Sequence, residues 1–459
     1  MRKILIVVCG LLLALTSLSS ASAAELTGGQ KDIGLRDQAT NGSVHAVVWG
    51  KRVNDDSSKV WISYKRGSSA WTDKQSLATL DFTPFASPQV TVTEGGLILV
   101  AWLDEEVIKY RELLAGETNW QSAIDVPDSS VTGQWFNDLD MVSNGESVTI
   151  AGVRSLSDSL QYVTWTRTDE YSPFTFENVA SAVNTNVFGS CKKSTPEECN
   201  YRVSELHLVT NEAGNQVFSW MTFRETGGWK AEMKNATFGI FVARRSAPED
   251  DWSSPVKIDS LNFKAKVDFY AYFIGSTVLT EGGKAAISWM SGYNKNPVKV
   301  FASISQPGAT AFVASDKSVL SKAYEANRIK LAAVGENIWA AYEFYAKSGA
   351  DFVVKVGKLG DLANAKNWAS GDYYFHEITS DGSNPVMIGS GDGAGVGRKV
   401  YKSVRNGANW TAPTAIMTLD NSASYVSDVF YASAGGAVVI TATGSSNTVW
   451  NIGLEATIL

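Results

Sequence analysis

Apolar residues along this chain fall in short runs, often alternating with polar ones, and the runs are separated by glycine-bearing turns. The stretch Val60–Arg66 (Val-Trp-Ile-Ser-Tyr-Lys-Arg) alternates as a strand with one buried face does. The spacing of a long amphipathic helix is poorly represented. A unit recurs: an apolar strand, a Gly/Asn/Glu turn, a strand often ending in tryptophan, a polar loop, a third alternating strand, then a glycine turn and another aromatic. The second copy shows it best, with Pro88–Thr93, Glu94-Gly95-Gly96, Leu97–Trp102, Val107–Leu113, Gly116 and Trp120. Others centre on His45–Trp49, Leu139–Ser143, Ser204–Thr210, Gly275–Thr280, Ile329–Val334, Pro385–Ser390 and Asp428–Ala432.

Eight such units, each of roughly 40–60 residues, are what a β-propeller needs. A three- or four-stranded sheet is too small to bury both faces alone, and radial stacking hides one face against the next sheet. The expected fold is all-β, a propeller of eight antiparallel blades closed into a ring. Seven blades is the alternative, because the seventh unit seems short of its second strand. A strand near Gly34–Arg36 is expected to join the eighth unit and close the ring. A pair of β-sandwiches is the competing architecture, since sandwiches also use short strands and regular turns. Tryptophans in the late aromatic slot (Trp71, Trp120, Trp252, Trp368, Trp410) and at inner strand ends (Trp49, Trp102, Trp220, Trp289) are read as core.

Glycine (39 residues), tryptophan (15) and tyrosine (16) are abundant and histidine (3) is scarce, which favours sheet and leaves little for imidazole chemistry. The start of the chain is a different kind of sequence. Arg2 and Lys3 precede the apolar stretch Ile4–Leu15, and Ala21-Ser22-Ala23 follows as a small-residue cleavage site. Residues 1–23 are thus read as a signal peptide and 24–459 as a single propeller domain, secreted to the periplasm or outside the cell. The apolar stretch is too short for a stop-transfer span and no later one is long enough, so no membrane span is expected. Net charge is −7 and becomes more negative when Arg2 and Lys3 leave; with no basic stripe, no nucleic-acid partner is expected. Cys191 and Cys199, left after the leader's Cys9 goes, flank a short polar stretch and read as a disulfide closing a surface loop.

Ser403-Val404-Arg405-Asn406-Gly407-Ala408-Asn409-Trp410 resembles the Asp-box of sialidase-like propellers, with Arg405 where that family has aspartate. Gly67/Trp71 and Gly116/Trp120 look like degenerate versions of the same turn. The resemblance implies the fold and no activity, since the box is a structural turn. Sialidases also bring an arginine cluster, a tyrosine nucleophile and acidic partners. Arg52, Arg154, Arg224 and Arg328 do not stand in the family's sequence context, so no catalytic role carries over.

Chemistry legible in the residues themselves is sparse. His45, His207 and His376 lie in separate repeats, and strand histidines are more often satisfied than metal-bound, so neither metal nor cofactor is expected. Asp55-Asp56 and Asp104-Glu105-Glu106 are read as solvated loop charges. The better guide is topology: one face of a propeller collects the second-to-third-strand loops and the unit-to-unit connections. Long connections here carry aromatics with no slot in the repeat: Trp135, Phe136, Trp229, Tyr270 and Tyr272, with Arg154 and Arg224 nearby. Aromatic faces beside polar donors suit sugar rings or a protein hot spot. The expected function is a secreted, non-catalytic binding module for a glycan or cell-surface protein; the alternative is a divergent sialidase-like glycoside hydrolase.

Overall fold

The computed structural model describes residues 24–25, 33–54, 56–81, 87–104, 107–129, 136–156, 159–181, 199–226, 237–262, 270–293, 298–307, 309, 312, 318–319, 326–345, 352–361, 365–368, 373–391, 399–418, 424–431, 438–445 and 452–458. Among them there is no helix, and the strands form eight separate antiparallel sheets. The leader, Trp135, Trp229 and Cys191 lie outside the described residues.

Each of the first seven sheets is made from consecutive strands. The first contains Ile33–Thr40, Val44–Arg52, Ser57–Arg66 and Gln75–Asp81, paired in that order. The inner, first strands of the next six are Gln89–Val92, Phe136–Asn144, Cys199–Thr210, Tyr270–Leu279, Ala326–Val334 and Tyr373–Ser380. The eighth sheet runs Ser424–Tyr431, Val438–Ser445, Ile452–Ile458, and its fourth strand is Ala24–Glu25 from the other end of the chain. These are many small sheets and not the two broad facing sheets of a sandwich.

Two sequence expectations need correction. Gly34–Arg36 does not close the last sheet: it lies in the innermost strand of the first sheet, and Ala24–Glu25 pairs with Ile452–Ile458 instead. The seventh unit lacks no strand. Tyr373–Ser380 supplies its first, and Pro385–Gly391 and Lys399–Asn406 follow. Tyr373–Ser380 was hidden because His376 and Glu377 interrupt its apolar alternation, and a bulge lies between Phe375 and Glu377.

First strands of neighbouring sheets touch one another in chain order from the first sheet to the eighth. The core lies between sheets, not within them. One cluster joins Val48, Val60 and Leu80 of the first sheet to Val90, Val100 and Trp102 of the second. Another joins Ile240 and Ile258 of the fourth to Ile274, Ile287 and Trp289 of the fifth. Trp49, Trp102, Trp165, Trp220 and Trp289 are all at most 2% exposed, so the strand-end tryptophans are core. Burying an indole there contributes on the order of 3 kcal/mol. The late-slot tryptophans serve the same seams from the rim. Trp120 is half-buried and donates its indole N–H to Gln75 of the preceding sheet at 2.8 Å, while Trp252 reaches Thr164 at 3.0 Å.

The Asp-box-like turn is a repeated device. Ser403 Oγ donates to Thr411 O (2.6 Å), and Thr411 Oγ1 accepts from Val404 N (3.0 Å). In the first sheet Ser63 Oγ donates to Thr72 O (2.7 Å), and Thr72 Oγ1 accepts from Tyr64 N (3.1 Å). Both turns put a glycine at positive φ, Gly407 at 60° and Gly67 at 54°. Arginine at the box position ties the turn to its neighbour: Arg405 Nε donates to Gly407 O (2.9 Å), and its guanidinium lies 4.3 Å from the Trp339 ring in the preceding sheet.

Candidate functional site

The two ends of the sheets differ. At the end holding the first-to-second-strand turns, side chains of one turn seize the backbone of the next. Asn41 Nδ2 donates to Thr93 O (2.8 Å) and Glu94 O (3.1 Å), and Asn211 Nδ2 donates to Thr280 O (2.8 Å) and Glu281 O (3.0 Å). Asn144 Nδ2 donates to Asn211 O, Glu146 accepts from Gly95 N, and Glu336 accepts from Gly282 N. The first six sheets are thereby laced together at this end.

The other end receives the connections from sheet to sheet. Register puts Phe136 opposite Arg154, Tyr201 opposite Arg224, and Tyr270 opposite Tyr293, all at this end of the third, fourth and fifth sheets. The expected grouping of Phe136, Arg154, Arg224 and Tyr270 on one end is therefore a matter of strand pairing. Cys199 opens its strand at the same end, opposite Thr226. Arg154 is half-buried with its guanidinium 5.1 Å from the Phe176 ring, and burial holds it below the usual arginine range. Tyr272 departs from expectation. It is 1% exposed, packs 5.5 Å from Phe238, and donates its hydroxyl to Asp259 Oδ2 at 3.5 Å. The Trp289 indole donates to the same carboxylate at 3.0 Å. Tyr272 is thus part of the seam between fourth and fifth sheets.

The inner strands carry a second feature that composition did not reveal. At matching register they present one half-buried polar side chain each. Asp37, Gln89, Asp140 and His207 stand opposite Val48, Ala101, Ala151 and Ser219. Ser276, Lys330 and Glu377 continue the layer, opposite Ser288, Ala341 and Ile388. Several reach across to the next inner strand. Asp37 accepts from Val90 N (2.8 Å), Asp140 from Leu208 N (2.6 Å), and Ser276 Oγ from Leu331 N (2.8 Å). Lys330 lies 3.8 Å from Glu377. Burial pushes the Asp37 carboxyl up to about 6 against the pull of Val90 N–H. Burial, helped by the charge of Lys330, brings His207 down to about 4. Each residue of the layer stands a few positions before the end of its strand, but other polar residues such as Arg36, Glu205 and His376 stand near them, so the layer is not distinct in the sequence.

Toward the connection-bearing end, the seam between sixth and seventh sheets gathers Arg328, Glu343, His376 and Ser390. Arg328 Nη1 donates to Phe375 O (2.8 Å) and points at His376 Nδ1 (3.4 Å). Phe375 N donates to Glu343 at 3.4 Å. A guanidinium only donates, so His376 Nδ1 accepts, and Nε2–H donates to Ser390 Oγ at 2.7 Å. Burial and Arg328 hold this imidazole down to about 3. His376 is therefore a neutral donor toward Ser390 and no base for it, which sets the pair apart from a nucleophilic dyad. His45, 4% exposed, is bonded to Thr40 Oγ1 at 2.9 Å. No group of three metal-ligating side chains occurs among the described residues.

No model of a known protein family matches this sequence, and no curated protein does. Solved structures do resemble it in shape. The Dos1 propeller aligns over 95% of this chain and 94% of its own at 9% identity, with a TM-score of 0.50. An ulvan lyase, a polysaccharide lyase solved bound to -[GlcA(1-4)Rha3S]-, aligns over 83% of this chain and 95% of its own at 10% identity, TM-score 0.51. A Hadza microbial sialidase aligns over 95% and 98% at 11% identity, TM-score 0.39. At such identities the likeness is one of fold: a β-propeller architecture, with sialidases and other glycan-active proteins among its neighbours and no preference for the Asp-box type.

Proposed function

We propose that residues 24–459 form an exported β-propeller of eight blades closed into a ring, and that it is a non-catalytic binding module for a glycan or protein ligand. The observation that carries this reading is the contrast between the two ends of the sheets. One is laced turn to turn by Asn41, Asn144, Asn211, Glu146 and Glu336. The other has Phe136, Arg154, Arg224 and Tyr270 at strand positions next to the long connections. A rigid frame with its variable segments on one side is how loops are held for recognition. In this reading the inner-strand layer from Asp37 to Glu377 lines the ring's central channel. Export follows from the leader, 1–23, and permits a Cys191–Cys199 disulfide beside the same face.

Glycans come first in the test because a fold neighbour of comparable length is solved with a polysaccharide fragment. Glycan-array and pull-down profiles of the folded protein should change when Trp135→Ala and Trp229→Ala are introduced together. Unchanged profiles would rule this face out. Turnover of any member of an aryl-glycoside panel by the wild type would favour the hydrolase alternative. Protein recovered from an exporting host should begin at Ala24 and lose its Cys191–Cys199 bond on reduction, read by mass.

A further inference from the structure

Three asparagines in this chain are followed directly by glycine: Asn41-Gly42, Asn144-Gly145 and Asn406-Gly407. That pair carries a reactivity of its own. With no side chain on the second residue, its backbone nitrogen can close on the asparagine Cγ. In a folded chain this requires that the side-chain amide and that nitrogen be free to meet.

Two of the pairs are held. Asn41 Nδ2 donates to Thr93 O and Glu94 O of the next sheet, and its Oδ1 accepts from Ser43 N (3.0 Å) and Val44 N (2.8 Å). Asn144 is half-buried, and its Nδ2 donates to Asn211 O across the seam. Each amide is a brace between sheets and cannot turn toward its own glycine without breaking that brace. The third pair has the same local chain as the second. Asn144 stands opposite Ser147 and Asn406 opposite Asn409, so each opens a two-residue hairpin loop, with Gly145 at φ 55° and Gly407 at 60°. The surroundings differ. Asn406, Gly407 and Ala408 are all exposed, and the Asn406 side chain and Gly407 N make no hydrogen bond to a described residue. A Cβ placed on Gly407 would meet nothing within 4 Å, whereas Glu94 Oε2 lies 4.0 Å from the same point on Gly145. Arg405 Nε bonds Gly407 O and leaves both reacting atoms unengaged.

We propose that Asn406 is a site of spontaneous deamidation, the one of the three pairs that the native fold leaves open. The Gly407 nitrogen attacks Asn406 Cγ as its proton leaves; the N–Cγ bond forms and the Cγ–Nδ2 bond breaks, releasing ammonia. Water then opens the cyclic imide at either carbonyl, leaving aspartate or isoaspartate, and nothing is oxidised or reduced. Either product adds a negative charge to the turn. Isoaspartate also routes the backbone through the side-chain carbon, which lengthens a two-residue loop and pulls on the Arg405–Trp410 pair behind it. Trp410 and Trp339, the ring under Arg405, both pack on the cluster between sixth and seventh sheets, so the modification acts on that seam. This goes beyond the binding-module reading and does not depend on it.

The test is to incubate the full protein, folded, in mildly alkaline buffer made with oxygen-18 water and to follow each pair by peptide mass spectrometry. A second portion is incubated in urea. In the folded protein Asn406 should take up label about tenfold faster than Asn41 or Asn144, since each of those must first give up a hydrogen bond. In urea the three rates should come together, because the pair is the same in each. Isoaspartate at position 406 should accumulate beside aspartate, read by enzymatic carboxyl methylation. Asn406→Gln should abolish label at that position and leave the other two pairs, and the unfolding midpoint of fresh protein, unchanged. Asn406 intact in the folded protein, or converted no faster than Asn41 and Asn144, would overturn the proposal. A preference for Asn406 that persists undiminished in urea would overturn it too, because the fold would then not be its cause.

Discussion

His376 and Asp37 are two buried titrating groups whose shifts have opposite signs. His376 is held at about 3, against roughly 6.5 in an unfolded chain. Between those values the unfolded state binds a proton that the folded state refuses, so stability falls as pH falls through that window. Wild type should lose about 2–3 kcal/mol from this group alone between pH 8 and pH 4.5. Urea midpoints of His376→Gln, measured over the same range, should show a shallower decline by that amount. Asp37 is pushed the other way, to about 6. The folded state keeps its proton longer than the unfolded one, so this group's contribution weakens as pH rises from about 4 to about 6. Asp37→Asn retains an oxygen acceptor for Val90 N–H and removes the charge. It should be more stable than wild type by about 1 kcal/mol at pH 7.5, with the gap closing below pH 5. Equal midpoints at pH 7.5 would show that the carboxylate is not penalised in the fold.

Strand and turn explain what could be read in advance. The strands between Val44 and Leu113 were legible because valine, isoleucine and tryptophan alternate there and glycine turns separate them. Ile33–Thr40 and Tyr373–Ser380 were not, because an inner strand spends its alternate positions on polar residues such as Asp37, His376 and Glu377. The placement of Phe136, Arg154 and Arg224 at one end followed from topology, yet the Arg328–His376–Ser390 seam did not. Its members come from three strands of two sheets, and no sequence spacing encodes their meeting. The Asp-box-like turn was legible as a turn, while the purpose of Arg405 was not. Its guanidinium lies on Trp339 of the preceding sheet and its Nε bonds Gly407 O, so Arg405→Ala should cost about 1 kcal/mol by loss of both contacts. Arg405→Lys should recover part of it, and an unchanged unfolding midpoint in both would assign the contact no weight.

At the scale of the whole molecule, stability resides in seams between sheets that are individually too small to persist. Each seam shares its cluster with two sheets, as Trp102 and Val60 or Ile240 and Trp289 do. Damage to one sheet therefore spreads to its neighbours. The eighth sheet is the weak point, because among the described residues Ala24–Glu25 meets Ile452–Ile458 through two register pairs. Replacing Ala24 and Glu25 by Gly-Pro, which removes a backbone donor from that short ladder, should lower the melting temperature by several degrees. Amide exchange should rise first in Ile452–Ile458, and uniform exchange across all eight sheets would contradict a local seal.

That two-residue clasp also imposes an order of events. Synthesis delivers Ala24 and Glu25 long before the strand that receives them, Ile452–Ile458. Those two residues must therefore idle, without that partner, until Ile452–Ile458 arrive. A polypeptide cut short anywhere before Ile452 could assemble its early sheets and still have nothing to fasten.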